Sequence, residues 1–189
     1  MSASRFWFCL SAVVVGLGSA WCVVRFGGGG TVAAGAWQSS VLAGSVHADP
    51  YTRARVALDG LLALGPQETL YYVATADDTG SPLRAQCRYR VLGPAPSARW
   101  WSVTAYAGDR FLFAAPEHRY SINNVSPGLP PGQVVLVTGP TPSGTGPWLP
   151  TPGEGALLLV LRLYQPGPEI RADASALVPL RIQAVEACK

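Results

Sequence analysis

The stretch Ala156-Leu-Leu-Leu-Val-Leu-Arg-Leu-Tyr164 decides the fold, because it opens with six consecutive aliphatic residues between two turn-forming segments. A short apolar run bounded by Gly153–Gly155 and Pro166-Gly167 is typical of a strand buried on both faces. Arg162 interrupts this run, and an unpaired buried charge is costly. The sequence therefore predicts a central strand in which the Arg162 guanidinium has a partner.

Seven further short segments alternate with turns, and the chain's 21 glycines and 17 prolines fall largely between them. Eight short strands without intervening helices predict a mainly β fold, an antiparallel β-sandwich or barrel. The seven other predicted strands are Thr69–Ala76, Ala85–Leu92, Arg99–Tyr106, Arg110–Ala114, Arg119–Asn123, Gln133–Thr138 and Leu177–Ala184.

The tetrapeptide Asp78-Thr79-Gly80-Ser81 is the signature of an aspartic protease, but it occurs once and the catalytic dyad needs two carboxylates. We therefore interpret it as a turn.

One short amphipathic helix is expected ahead of these strands. Asp49 is a suitable N-cap, Pro50 suits the first helical position, and Gly65-Pro66 ends the pattern. An apolar stripe recurs at helical spacing, so we expect it to cover a sheet or the mouth of a barrel rather than to bind a ligand. The stripe consists of Ala54, Ala57, Leu58, Leu61 and Leu62.

The N-terminus carries nineteen residues without a charge, Phe6 to Val24, which is long enough to cross a bilayer as a helix. Gly18 and Ala20 also fit a signal-peptide cleavage site, but the apolar run continues beyond them, which favours an uncleaved anchor. We expect residues 1–25 to be this anchor or signal segment, 26–48 to be a flexible Gly-rich tether, and 49–189 to be a β-sandwich domain with a leading helix.

Charge and composition exclude several classes of protein. The chain is 49% hydrophobic and only 13% charged, against about 25% charged in a typical soluble domain. Its net charge is +3, and no basic stretch with interleaved aromatics marks a nucleic-acid site. No cysteine lies in a metal-binding spacing, so neither a metal nor a cofactor is expected. Cys87 and Cys188 are expected to form a disulfide in an oxidising compartment, the alternative being two unpaired thiols.

A cluster of arginine and aromatic residues is the candidate ligand site. Aromatic rings stack on ligands and arginines hold anionic groups, so the cluster suits a glycan, a lipid head group or a peptidoglycan fragment. The alternative is a purely structural role. No catalytic residue is assigned, since His118 has no recognisable nucleophile beside it. The cluster comprises Arg119, Tyr120, Trp148, Arg162 and Tyr164, with Trp101 and Tyr106.

Several of these residues also carry a family resemblance, which runs in order over most of residues 37–182. The chain resembles the domain of unknown function 1214 family in its short membrane-anchored bacterial form. That resemblance implies a jelly-roll-like β-sandwich in a bacterial envelope protein, sometimes associated with the domain of unknown function 1254 family, and it implies no reaction. Pro147 departs from the family's usual asparagine before Trp-Leu-Pro. The matching pieces are Trp37, Asp49–Ala54, Cys87–Val91, Arg99–Tyr106, Arg119–Ile122, Trp148–Pro150 and Leu161–Tyr164.

Together these features predict a single-pass protein of the bacterial inner membrane with its folded domain in the periplasm. The orientation rests on the N-terminal amine and Arg5, which slightly outweigh Arg25. We expect a non-catalytic binding or interaction module, whose partner is a membrane protein of the domain of unknown function 1254 family. The alternative is a small enzyme that acts on an envelope glycan or lipid.

Overall fold

A computed structural model gives the fold and describes residues 3–26, 30–58, 64–115, 118–142 and 146–185. The protein is mainly β, with two sheets, an apolar N-terminal helix and two further short α-helices in these ranges. Buried residues from both sheets belong to one hydrophobic cluster, which includes Trp37, Tyr72, Tyr89, Leu136 and Leu161.

The larger sheet has six strands in the order β1-β2-β3-β9-β5-β6. Its central strand β9 contains the apolar run quoted above and pairs with β3 on one side and β5 on the other. Burial on β9 alternates at Arg162 and Tyr164, which are half-buried, whereas Leu161 and Leu163 are fully buried. The six strands are Thr31–Ala34 (β1), Trp37–Ser40 (β2), Thr69–Ala74 (β3), Ala98–Ala107 (β5), Ser121–Asn123 (β6) and Leu157–Pro166 (β9).

The smaller sheet has four strands in the order β10-β4-β7-β8. Three of its strands pair antiparallel, but β7 and β8 pair parallel, with Val137 opposite Trp148. The expectation of a fully antiparallel fold is therefore wrong at this pair. The strands are Tyr89–Pro94 (β4), Gln133–Gly139 (β7), Trp148–Pro150 (β8) and Arg181–Ala184 (β10).

Three α-helices, α1 (Ala3–Phe26), α2 (Pro50–Leu58) and α3 (Pro168–Ala172), and the short 3-10 helix Ala174–Ala176 complete the described structure. α1 is long and apolar enough to cross a membrane, since 24 residues extend about 36 Å. α2 begins where the sequence predicts, because Asp49 Oδ1 accepts from the backbone N–H groups of Tyr51 and Thr52 at 2.9 and 3.2 Å. The side-chain hydrogen bond from Thr52 is the largest cause that lowers the pKa of Asp49.

The expected contact of the α2 stripe with a sheet is wrong for the stripe residues that the structure describes. Ala54, Ala57 and Leu58 are exposed, whereas Thr52 and Val56 are half-buried. α2 ends at Leu58, and the predicted continuation through Leu61 and Leu62 lies outside the described residues.

Part of the predicted tether is ordered as strands. β1 and β2 form a hairpin, and β2 pairs with β3 through Gln38 opposite Val73. The ring of Trp37 is fully buried and its Nε1 donates to the Leu180 carbonyl at 2.6 Å, which stabilises the hairpin against the core. The Gly-rich composition predicts a flexible tether, but residues 31–40 form two strands at the edge of the sheet.

Candidate functional site

The outer surface of the six-stranded sheet carries one central cation. Because paired residues share a face, Arg162 lies with Tyr71 of β3 and with Ser102 of β5 as cross-strand neighbours. Its Nη1 donates to Thr104 Oγ1 at 3.0 Å and its Nη2 to the Tyr106 hydroxyl at 2.5 Å. The expected partner for the guanidinium is thus a pair of neutral hydroxyl groups.

The charge of Arg162 has no counter-ion within the described ranges. No carboxylate in those ranges forms an ion pair with Arg162. Its guanidinium carbon lies 5.5 Å from the centroid of the Tyr106 ring, which is a cation–π contact. Neutral acceptors satisfy hydrogen-bonding capacity but leave the positive charge uncompensated. Arginine pairs with carboxylate and phosphate groups, which makes Arg162 the candidate for an anion site.

Aromatic side chains surround the cation on the same face. Trp100 and Tyr164 are opposite each other on β5 and β9, with ring centroids 5.1 Å apart in an edge-to-face arrangement. Burial raises the pKa of Tyr71, and the nearby Tyr164 phenol raises it further, while Arg162 acts in the opposite direction. All these rings are half-buried. We call the surface formed by Tyr71, Trp100, Thr104, Tyr106, Arg162 and Tyr164 the Arg162 face.

The Arg162 face unites only three of the seven predicted ligand residues, Tyr106, Arg162 and Tyr164. Trp101 lies on the opposite side of β5 and is 3% exposed, within the core. Trp148 belongs to β8 of the other sheet, where its Nε1 donates to the Gly139 carbonyl at 3.0 Å. Trp101 is therefore a core residue, and Trp148 fastens β8 to the end of β7.

Arg119 and Tyr120 come immediately before β6 and are exposed. Arg119 lines an open cavity of about 450 Å³ together with residues that include Ser121, Ser126 and Pro147. His118 Nδ1 lies 3.3 Å from the Tyr120 hydroxyl. Ser121 pairs with Thr104, so this second group of polar residues adjoins the Arg162 face at the β6 edge of the sheet.

Tyr71, Trp100 and Thr104 are the members of the site that the sequence analysis missed. The signal was available, because a period of two on each strand places every second residue on the face of Arg162. What the sequence lacked was the register, which sets Tyr71 and Ser102 opposite Arg162.

The protease-like tetrapeptide is a turn after β3, as predicted. Asp77, just before it, is 7% exposed, and its Oδ1 accepts from the Thr79 and Ser81 backbone N–H groups at 2.9 and 3.0 Å. Burial alone would raise the pKa of Asp77, but these bonds and that from the Thr79 hydroxyl hold it below its usual range. Asp78 Oδ1 accepts from the Ile182 backbone at 3.0 Å, so both carboxylates stabilise the chain rather than face each other as a dyad.

The predicted Cys87–Cys188 disulfide falls partly outside the described residues, since Cys188 lies beyond residue 185. Cys87 is buried, and the backbone N–H of Val185 donates to the Arg88 carbonyl at 2.9 Å. Val185, the last described residue, is therefore held beside the chain neighbour of Cys87. Within the described ranges, no group of three or more His, Cys, Asp or Glu residues is arranged to hold a metal ion.

Comparison with known proteins gives a family and a fold. The crystal structure of the VPA0106 protein from Vibrio parahaemolyticus is similar, with a TM-score of 0.57, 21% identity, and coverage of 74% of this chain and 36% of that one. An uncharacterised protein from Burkholderia cenocepacia aligns with a TM-score of 0.41 at 20% identity over 65% of this chain and 31% of its own. This chain thus spans about a third of the length of both. No curated protein matches it significantly.

Residues 68–168 match the family model described as "Protein of unknown function (DUF1214)", which covers more than half of the chain. The matched region starts just before β3 and ends at α3, so it includes every residue of the Arg162 face. The chain therefore belongs to the DUF1214 family of proteins of unknown function.

Proposed function

We propose that this protein is a membrane-anchored, non-catalytic module that binds an anionic group of an envelope component on the Arg162 face. One observation carries the proposal: a half-buried guanidinium lies at the centre of a sheet face among aromatic rings, with neutral hydroxyls as its only partners in the described ranges. An anionic ligand would supply the missing charge, and the rings of Trp100 and Tyr164 would contact its apolar part.

Two properties of the N-terminus support a role in the cell envelope, and the packing of the two sheets supports the fold that the resemblance implies. α1 is an apolar helix of membrane-spanning length, and the family resemblance points to the same location. The two sheets share one hydrophobic cluster, which supports the jelly-roll-like sandwich that the resemblance implies. The N-terminal charges favour a periplasmic domain.

A Cys87–Cys188 disulfide would place the domain in an oxidising compartment. The backbone N–H of Val185 donates to the Arg88 carbonyl, and three residues span at most about 11 Å, so the chain beyond Val185 is long enough for Cys188 to reach Cys87. Alkylation of the native protein followed by mass measurement tests this pairing. We expect Cys87 and Cys188 to alkylate only after reduction, and alkylation of both before reduction would contradict the compartment. N-terminal sequencing of the mature protein tests retention of α1.

We propose a membrane protein of the domain of unknown function 1254 family as the partner. Support comes from the family resemblance. Affinity purification of the full chain from its native membrane should recover such a protein reproducibly. Its absence alongside a bound glycan would contradict this partner and leave the ligand proposal standing.

The ligand proposal is tested by titrating the full chain in nanodiscs with three small probes. N-acetylmuramic acid offers a carboxylate, glycerol 3-phosphate offers a phosphate, and N-acetylglucosamine is neutral. We expect one or both anions to bind and the neutral sugar to bind at least tenfold more weakly. Which anion binds distinguishes a glycan from a lipid head group.

Arg162→Gln should weaken anion binding by about 10- to 100-fold, because hydrogen bonds to a charged group contribute about 1.5–3 kcal/mol. Arg90→Gln is the matched control, since Arg90 is an exposed arginine on β4 of the other sheet. Equal loss in both variants, or equal binding of the neutral sugar, overturns the proposal. Mass spectrometry of the probe after incubation should recover it unchanged, whereas conversion would establish the enzyme alternative.

A further inference from the structure

The apolar stripe on α2 faces outward, and it lies close to the end of the apolar helix α1. We propose that α2 and the turn between β5 and β6 form a second contact with the bilayer, resting on the membrane surface where α1 emerges. We call this the membrane-contact surface and define it by Phe26, Tyr51, Leu58, Phe111 and Leu112. The inference depends on the proposed anchoring by α1.

Hydrogen bonds hold α2 at the end of α1. Arg55 Nε and Nη2 donate to the Val24 carbonyl at 3.0 and 2.8 Å, and Nη2 also reaches the Val23 carbonyl at 3.4 Å. The last carbonyls of a helix have no partner within the helix itself. By satisfying them, Arg55 fixes α2 beside the point where the chain leaves the apolar helix.

The β5–β6 turn is joined to the other end of α2. Arg110 Nη1 donates to the Leu58 carbonyl at 3.3 Å, so Phe111 and Leu112 lie next to the C-terminus of α2. The end of α1, the exposed side of α2 and this turn are thus linked consecutively by Arg55 and Arg110.

Large apolar side chains are exposed along this linked surface. Phe26 is 79% exposed, Phe111 74%, Leu58 57%, Tyr51 46% and Leu112 45%. Single exposed apolar residues are ordinary on soluble proteins, but a contiguous group marks an interaction surface. Tyr51 and Leu58 are seven residues apart, two turns along the same side of α2.

The charges on this surface fit a bilayer that contains anionic lipid. Among the described residues of the end of α1, of α2 with its N-cap and of the turn Gly108–Leu112, the basic groups are Arg25, Arg53, Arg55 and Arg110, and the carboxylates are Asp49 and Asp109. Both carboxylates are engaged locally: Asp49 caps α2 and Asp109 Oδ1 accepts from the Phe111 N–H at 3.0 Å. Apolar side chains flanked by arginines are the pattern of elements that lie in the lipid interface.

The occupant is the bilayer rather than a protein because α1 brings its own bilayer to this surface. A helix that spans the hydrocarbon core ends at the headgroups, and Arg55 holds α2 at that end. Residues that must lie within a few ångströms of headgroups meet lipid before any soluble partner.

The experiment measures the depth of a fluorophore in nanodiscs made with the full chain. A thiol-reactive dye is placed by Phe111→Cys in a background with all four native cysteines replaced by alanine, and quenching by headgroup-level spin-labelled lipid is compared with quenching by aqueous iodide. Val125→Cys is the matched control, since Val125 is 77% exposed in the β6–β7 loop. We expect lipid quenching at least threefold stronger at position 111 than at 125, increasing further with phosphatidylglycerol content.

Equal lipid quenching at the two positions overturns the proposal, as does shielding from iodide without lipid quenching, which would indicate a protein occupant such as a second copy. Carbonate extraction of the same samples tests the anchoring by α1 separately from the membrane-contact surface. Protein that stays in the membrane while position 111 is aqueous refutes the membrane-contact surface and leaves the anchor intact. Protein that is extracted refutes both. A Leu58→Cys label gives an independent reading on α2.

Discussion

The two faces of the six-stranded sheet are built from the same strands and serve different ends. On the inner face, Leu159, Leu161 and Leu163 of β9 have no exposed surface and pack into the core shared with the other sheet. On the outer face, the alternate residues Arg162 and Tyr164 are half-buried and polar or aromatic. The difference teaches that a strand with an almost wholly apolar sequence still has one side in the core and one side that carries the proposed ligand site.

Replacing a side chain of the inner face by alanine should lower the free energy of unfolding more than the same change on the outer face. The largest effect is expected at Trp37. Trp37→Ala removes a fully buried ring and its hydrogen bond to Leu180, and should lower the free energy of unfolding by about 3–5 kcal/mol. Denaturant unfolding monitored by circular dichroism measures this. If the free energy of unfolding falls by less than about 1 kcal/mol, β1 and β2 contribute little to the fold, and the prediction of a flexible tether would describe this segment better.

A pair of leucines on β9 compares the two faces within one strand. Leu161→Ala should lower the free energy of unfolding by about 2–5 kcal/mol because it leaves a cavity in the core. Leu158→Ala, on the half-buried outer face, should cost less than half as much. Equal losses in the two variants would mean that the outer face is also packed against something in solution.

The adjacent residues Tyr71 and Tyr72 of β3 allow the two faces to be compared by how stability depends on pH. Burial, and then the charge of Asp173, raise the pKa of the inner Tyr72 to about 12, and its hydroxyl donates to the Ala174 carbonyl at 2.8 Å. Because this pKa is raised on folding, the stability it contributes is complete below pH 10 and is lost as the pH rises towards 12. Tyr72→Phe should remove that part of the pH dependence and cost about 1 kcal/mol at neutral pH.

Thermal unfolding between pH 8 and 12 measures this dependence. Tyr71→Phe is the control from the outer face, where the hydroxyl is half-buried, and it should leave most of the alkaline loss in place. A wild-type stability that stays constant up to pH 12 would contradict the assignment of Tyr72.

Arg162 should show the smallest effect on stability. Arg162→Gln removes two hydrogen bonds but also an uncompensated charge, so we expect a change of at most about 1 kcal/mol. The same unfolding measurements apply. A loss as large as that of Leu161→Ala would show that Arg162 supports the fold, and the comparison of the two faces would then fail.

The sequence predicted the mainly β class, the central strand, the helix start at Asp49 and the turn at Asp78, because each depends on local patterns. It missed β8, the ordered hairpin of β1 and β2, and the outward side of α2. These depend on distant contacts, such as Trp37 with Leu180 and Val137 with Trp148, which no local periodicity encodes. Arg110–Ala114 contains only an isolated bridge at Leu112 rather than a strand.

The same limit applies to the site. Arg162 was identified because a charge inside an apolar run is conspicuous, whereas Trp101 was assigned to the ligand cluster and its neighbour Trp100 was not. Two adjacent tryptophans on a strand necessarily point in opposite directions, and only the register with β9 shows which of them shares the face of Arg162.

The early start of the folded domain sets a limit on its reach. Gly30 is already fixed by the hydrogen bond from Val41, so four peptide steps separate it from the end of α1 at Phe26, a span of at most about 15 Å. Under the proposed anchoring by α1, so short a connection would keep the domain at the surface of its own membrane. A ligand in a more distant layer of the envelope would then have to be carried to it.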